Sequence, residues 1–405
     1  METETPRLCP EARLLLLCGG ARTSAEKTER QRELICAGLD WDHLIKSALN
    51  HRMIPLLYWT LITTSQDLVP GDVLKDLRMI HLLNARRNIL LAGELIRVIK
   101  SMETQGIPVL PFKGPVLAAS AYGDLSLRQF DDLDILVPLA RLAEVDELLI
   151  SMGYEDEQQH RRVSKKQKEA MLKYQHHHHF YRPDSKVHLE VHWTLSPELY
   201  SFHQDTASLW DRSEKVTLLN RELMGLSSED TMVLICDHAA RHQWNRLAWI
   251  SDVAMILDSK HLKWDLVVEQ ANKWRARRAL LLGLFLANEL LGASIPDDID
   301  RLITEDQKVR VLASEAIDGL YLDESASAFS SDPARGEIQD QLFYVRARDR
   351  FFDRARLYLR LATTPTVEDW NYLSIPDPLF SFYYLIRPVR LANAYRMRIL
   401  NWLMK

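Results

Sequence analysis

The stretch RQFDDLDILVP, Arg128 to Pro138, decides how this chain is read. Three aspartates occupy four positions, and the sequence then turns to Ile-Leu-Val. Carboxylates this close repel one another and resist desolvation unless a cation or basic partner neutralises them. An acidic turn in water would need neither, so the surrounding residues must distinguish the two cases. As a strand, the stretch puts Asp132 and Asp134 on one face and Leu133 on the other, with Asp131 pointing away from the pair. The two carboxylates are then roughly 7 Å apart along the strand.

Downstream, VHLEVHW alternates in the same way. His188, Glu190 and His192 share one face; Val187, Leu189, Val191 and Trp193 share the other. If the two strands are neighbours, Glu190 joins Asp132 and Asp134. Three oxygen ligands of this kind suit Mg²⁺, which keeps waters and takes remaining ligands from substrate phosphates. Mn²⁺ accepts the same donors.

The bulk properties are those of an ordinary globular protein. The 405 residues are 47% hydrophobic and 26% charged, enough for one large core or two to three smaller ones. A net charge of -5 argues against a general nucleic-acid binder, which carries a basic surface. Cys9, Cys18, Cys36 and Cys236 show no CxxC spacing and no disulfide framework, so a reducing compartment is expected. ARLLLLCGG is the most leader-like segment, but its apolar run is short and Glu2, Glu4 and Glu11 precede it. No run approaches the roughly 20 apolar residues of a membrane helix. A cytoplasmic protein with no membrane partner is expected.

Periodicity divides the chain into three regions. Residues 1–100 read as helices, with apolar positions every three to four residues in GLDWDHLIKSALNHRMIPLLYWTL and in the long run that follows Val73. Residues 101–222 read as a small α/β core: a strand at IPVLPF, a short helix opened by Pro115, the LDILVP strand and an amphipathic helix ending at Gly153. A polar stretch from Gln158 to Lys173 follows, and then a hairpin of QHHHHFYRP and VHLEVHWTL turning at DSK. Residues 223–405 return to helices, the first capped at Ser227 or Ser228 and running on through SDVAMILDS, with a small-residue loop over 324–337. In YVRARDRFFDRARLYLR, Asp349 and Asp353 lie within helical reach of the arginines, and intrahelical pairing is expected there.

The ordered pieces PFKGPVLAASAYGDLSLRQFDDLDILV and HLEVHWTLSP resemble an uncharacterised bacterial nucleotidyltransferase family of the DNA polymerase β superfamily. DWDHLIKSALNHRMIPLLY, DHAARHQWNRLAWISDVAMIL and PLFSFYYLIRPVRLA extend the likeness over most of the chain. The resemblance implies an α+β fold, a small mixed-sheet core flanked by helical regions at both ends. It also implies a Mg²⁺-dependent enzyme that moves a nucleotidyl group from an NTP to an acceptor nucleophile. Asp132 and Asp134 match the D-x-D metal ligands, and Glu190 the third carboxylate. Lys113, Gly114 and Arg128 match the nucleotide-binding positions. Many superfamily members carry Gly-Ser after the first strand, whereas this chain has Lys113-Gly114-Pro115. Pro115 removes one N–H donor, and Lys113 can supply a point charge to a phosphate instead.

Two rivals share the same residues: a phosphotransferase with the same acidic centre, and a nucleotide- or peptide-binding module without catalysis. For the acceptor, a small molecule or a peptide or protein side chain ranks ahead of RNA, because the net charge is acidic. His192, His238 and Arg246 are candidates to touch substrate or to orient a carboxylate. The run His176 to His179 is internal and strand-like, so it is no terminal tag. Alternation sends two of the four to each face, and no cysteine or spaced second pair completes a closed zinc site.

Overall fold

The computed structural model describes residues 8–20, 24–157, 164–197, 206–320 and 333–403. It is an α+β protein in which a five-stranded mixed sheet lies among helices from both ends of the chain. The first hundred residues form α1 (Pro10–Gly19), α2 (Ala25–Cys36), α3 (Trp41–Asn50), α4 (Ile54–Thr64) and α5 (Gly71–Thr104). Side chains of Cys9, Ser24 and Asp40 accept hydrogen bonds from backbone N–H groups at the first three helix starts. The leader-like ARLLLLCGG is part of α1, and its Leu14, Leu15 and Cys18 are buried in the main core.

The sheet comprises β1 (Leu110–Phe112), β2 (Asp132–Leu136), β3 (Glu155–Asp156), β4 (His177–Arg182) and β5 (Val187–His192), in the order β1-β2-β5-β4-β3. Among the described residues, only the β2–β5 pairing is parallel. Between the strands come α6 (Gly114–Leu117), α7 (Leu142–Ser151) and α8 (Lys165–Tyr174). Leu133, Ile135, Leu189 and Val191 pack on one face of the sheet against Leu91, Leu95 and Val98 of α5 and Val145 and Leu149 of α7. On the other face Leu110, Phe112 and Leu136 join the core that α1, α3 and α4 share with the C-terminal helices. The carboxylates of β2 and β5 therefore point at the helical region, at a seam between two cores.

Several sequence expectations are revised. The polar stretch is partly helical: residues 158–163 lie outside the described set, but α8 starts at a Ser164–Gln167 capping box. After α9 (Thr206–Asp211), a second hairpin joins β6 (Glu214–Leu218) to β7 (Arg221–Gly225). Its turn residues Leu219 and Asn220 have φ of 46° and 63°, the left-handed pair of a two-residue hairpin. A leucine at the first position hides that signal. The helical run after Ser227 is not continuous. It is α10 (Ser228–Arg241) and α11 (Leu247–Ser259), separated at Gln243 and Trp244, with φ of 53° and 57°. Trp244 is fully buried and fills the space above Gly283, where an added Cβ would meet its ring at 2.6 Å. Gly283 belongs to α13 (Arg277–Leu291), which follows α12 (Trp264–Lys273).

The loop over 324–337 lies outside the described residues up to 332, and from Pro333 the chain is helical to Arg346. The arginine-rich stretch is also two helices, Pro333–Arg346 and Phe351–Thr363. Its acids also reach outside the stretch. Asp349 accepts hydrogen bonds from the backbone N–H groups of Arg277 and Arg278, and Asp353 faces Arg275. Arg348 is buried against Asp237 and Tyr344. No helix among the described residues is long and apolar enough to cross a membrane.

Candidate active site

The parallel register sets the site. Asp132 lies opposite His188, Asp134 opposite Glu190, and Leu136 opposite His192. Residues aligned this way project to the same side of the sheet. Asp134 and His192 are 3% and 2% exposed. His192 Nε2 stands 3.1 Å from Asp134 Oδ1 and 3.1 Å from Glu190 Oε2. Two carboxylate acceptors fix a proton on that nitrogen, which donates to both. Burial pulls the His192 imidazole toward neutrality, but the two carboxylates outweigh it and raise its pKa. One ligand atom each from Asp134, Glu190 and His192 lie within 4.8 Å of one another. Asp132 stands at the next same-face position of β2 and lines the cleft beside this trio rather than entering it.

The electrostatics are those of a crowded acidic seam. Burial, reinforced by the charges of Asp134 and Glu190, pushes the Asp132 carboxyl up to about 6. Burial also works against ionisation of Asp134, but Lys113 and His192 outweigh it and hold that carboxyl below its ordinary range. Lys113 Nζ is 3.3 Å from Asp134 Oδ1. Lys113 reaches it from a strained turn, with φ 53° and ψ −146°, a region that glycine normally occupies. Gly114 follows with φ 38°, and a Cβ there would press on the Asp132 carbonyl oxygen at 3.2 Å. The Lys-Gly pair thus lets the chain turn tightly over the acidic strand.

The other expected residues divide. Arg128 borders the cleft, but its Nε and Nη2 donate to the two Asp252 oxygens at 2.8 and 2.9 Å. Tyr122 adds its hydroxyl to the same carboxylate at 2.7 Å. The Arg128 guanidinium, expected to meet phosphates, is engaged with α11. His238 and Arg246 do line the cleft, which holds about 290 Å³ and opens between β2 and the α10–α11 junction. Burial and the nearby Lys113 and Arg241 drive the His238 pKa down.

Sequence reasoning missed Arg52 on the cleft wall, which His242 and Trp249 also line. Arg52 sits in the turn between α3 and α4 with φ 57° and pairs with Asp131 at 2.6 Å. Trp249 carries the Arg246 guanidinium 5.4 Å above its ring and has His238 and His242 against it at 5.5 and 5.4 Å. Nothing in the sequence marks Arg52, since the turn that aims it inward depends on tertiary packing.

The histidine run behaves differently from strict alternation. His177 and His179 face the same side as Glu190 and His192, their register partners being His192 and Glu190. His178 turns to the other face, near Asp146 and edge-on to Trp193. His176 precedes β4 and folds back so that its Nε2 lies 3.0 Å from His177 Nδ1. Three of the four histidines therefore gather on the acidic side.

The model of a family described as uncharacterised nucleotidyltransferase matches residues 37–292. The chain belongs to that family. It is therefore a nucleotidyltransferase, and every cleft residue named above falls inside the matched span. The C-terminal piece PLFSFYYLIRPVRLA falls outside it. Among solved structures, the solution structure of the antibiotic-resistance factor ANT(2'')-Ia is similar at 11% identity and a TM-score of 0.28, covering 54% of this chain and 97% of that one. No curated protein is similar enough to match.

Proposed function

We propose that this nucleotidyltransferase moves a nucleotidyl group from an NTP to an acceptor nucleophile, with Mg²⁺ or Mn²⁺ held at Asp132, Asp134 and Glu190. The observation that carries the reading is the β2–β5 register, which sets Asp134 directly opposite Glu190 with Asp132 on the same face. The donor set fits a hard divalent cation, because oxygen ligands predominate. The displaced Asp132 pKa supports it too: burial, with the charges of Asp134 and Glu190 beside it, makes ionisation costly until a cation neutralises it. When bound, such ions supply charge neutralisation to the triphosphate and activation to the acceptor.

The chain's own residues do the rest. Lys113 and Arg246 line the cleft opposite the carboxylates and bind phosphate oxygens as point charge and fork. Trp249 offers a flat aromatic wall. Glu190, half-buried beside His192, takes the acceptor's proton, and His192 holds that carboxylate in position through Nε2. Arg128 acts at one remove, tying the segment that leads into β2 to α11 through Asp252. The acceptor is a small molecule or a peptide or protein side chain in preference to RNA, since the net charge is acidic.

Incubation with each NTP labelled at the α- or the γ-phosphate, Mg²⁺ and a panel of acceptors tests the reading. Transfer of α-label with release of pyrophosphate is expected. Transfer of γ-label alone would make the protein a phosphotransferase and overturn it.

A further inference from the structure

Beside the carboxylates lies a second set of donors of different chemistry. His177 Nε2 and His179 Nε2 face each other at 2.7 Å, and His179 Nδ1 stands 3.6 Å from Glu190 Oε1. One ligand atom each from His177, His179 and Glu190 lie within 4.8 Å of one another. The β4–β5 pairing imposes this, because His179 is directly opposite Glu190 and His177 two positions along the same face. A hairpin is a rigid support, so the three donors are preorganised rather than gathered by a loop.

The chemistry of this set differs from that of β2. Two imidazoles and one carboxylate are borderline donors, suited to Zn²⁺ and its neighbours and poorly suited to Mg²⁺, which takes oxygen. Three protein ligands with a free position need no fourth residue, so the missing cysteine or second histidine pair does not count against an open site. Cation entry is also provided for: the His179 side chain is 42% exposed. Deeper in, His176 and His192 continue the cluster, and His192 Nδ1 is buried without a hydrogen-bond partner. A buried polar atom of this kind calls for a ligand or a proton acceptor.

We propose that His177, His179 and Glu190 form a binding site for a borderline divalent cation of the zinc class, distinct from the Asp132–Asp134 centre but sharing Glu190 with it. The binding itself stands without the nucleotidyl-transfer reading; only the sharing of Glu190 rests on it. A cation held at the imidazoles competes for that carboxylate, so the two sites are linked through one residue.

Full-length protein stripped of metal is titrated with Zn²⁺ by calorimetry and with Co²⁺ by its visible absorption, first without Mg²⁺ and then with millimolar Mg²⁺ to fill oxygen sites. No nucleotide is present, so failure here says nothing against transfer chemistry. One equivalent is expected to bind, with nitrogen-ligand absorption for Co²⁺. His177→Ala and His179→Ala should each weaken it by at least about tenfold. His178→Ala, on the opposite face, should leave it unchanged. Since His179 is half-exposed, its variant keeps the test valid even if His177→Ala unfolds. Absence of stoichiometric binding in the wild type, or binding that survives His179→Ala undiminished, would overturn the proposal.

Discussion

Replacing Asp252 with asparagine tests whether Arg128 is a structural tie or a charge held free for phosphates. Its partner's guanidinium is 12% exposed and the carboxylate 1% exposed, and two charge-assisted hydrogen bonds of 2.8 and 2.9 Å join them. Removing one member of a buried pair costs about 3–5 kcal/mol, because the other charge is left without compensation. The guanidinium cannot escape by losing a proton, so Asp252→Asn pays the full cost. Loss of the charged acceptor for Tyr122 adds about 1 kcal/mol. Arg128→Met leaves Asp252 with Tyr122 alone, and a cost in the same range is expected. The double variant Arg128→Met/Asp252→Leu removes both charges and should return to within about 2 kcal/mol of wild type, since apolar replacements of buried pairs are often near neutral. Urea unfolding followed by tryptophan fluorescence and far-UV circular dichroism measures all four proteins, and coincident transitions license the two-state free energies. A loss below about 1 kcal/mol in Arg128→Met, without nucleotide, would refute the reasoning and return Arg128 to the phosphate-binding set.

Other expectations follow from single sites. Burial pushes the Glu94 carboxyl up, but hydrogen bonds from Arg97, Tyr154 and Arg182 outweigh it and hold it at about 2, against 4.5 unperturbed. A depressed carboxylate stabilises the fold above its unfolded pKa and loses that contribution as pH falls through its folded value. Glu94→Gln should therefore cost about 2 kcal/mol at pH 7, with the difference from wild type shrinking in urea melts taken from pH 4.5 downward; a constant difference would contradict the assignment. Gly283→Ala brings a Cβ within 2.6 Å of both Cys236 Sγ and the Trp244 ring, and overpacking of about 1–3 kcal/mol is expected despite the better helix propensity of alanine. Nucleotide affinity should weaken with it, because Trp244 sets the turn that presents Arg246; an unchanged melting temperature would show that the ring moves freely. Asp131 pairs with Arg52 and is half-exposed, so Asp131→Asn should keep transfer activity within about threefold, an exposed pair being worth little. Asp132→Asn and Asp134→Asn should abolish activity, and equal loss in all three variants would mean that the acidic run acts as a whole.

The residues that period-two alternation governs were legible in the sequence. Asp132 and Asp134 fall on one face of β2, Glu190 and His192 on one face of β5, and Ser227 caps α10 because serine before a periodic run satisfies a free N–H. Pairing between distant residues was not legible. Arg128 and Asp252 are 124 positions apart, and the family resemblance that placed the arginine among the nucleotide-binding positions carried no sign of this partner. The α10–α11 break escaped notice for a related reason. His242, Gln243 and Trp244 are acceptable helix residues, and it is the burial of Trp244 over Gly283 that forces the left-handed turn. The three histidines on the acidic side depended on where β4 begins: His176 lies before the strand and escapes its alternation.

The central claim is that Asp132, Asp134 and Glu190 bind a nucleotide through divalent cations, and it can be tested before any acceptor is identified. Thermal melts of wild type and Asp134→Asn are recorded alone, with Mg²⁺, and with Mg²⁺ plus a non-hydrolysable NTP. A ligand that binds only the folded state at roughly a hundred times its dissociation constant stabilises by about 2.7 kcal/mol. The wild type should rise accordingly and more with nucleotide than with metal alone, whereas Asp134→Asn should lose most of the response. Equal shifts in both proteins would contradict the account and leave the aspartates of RQFDDLDILVP as nothing more than an acidic turn.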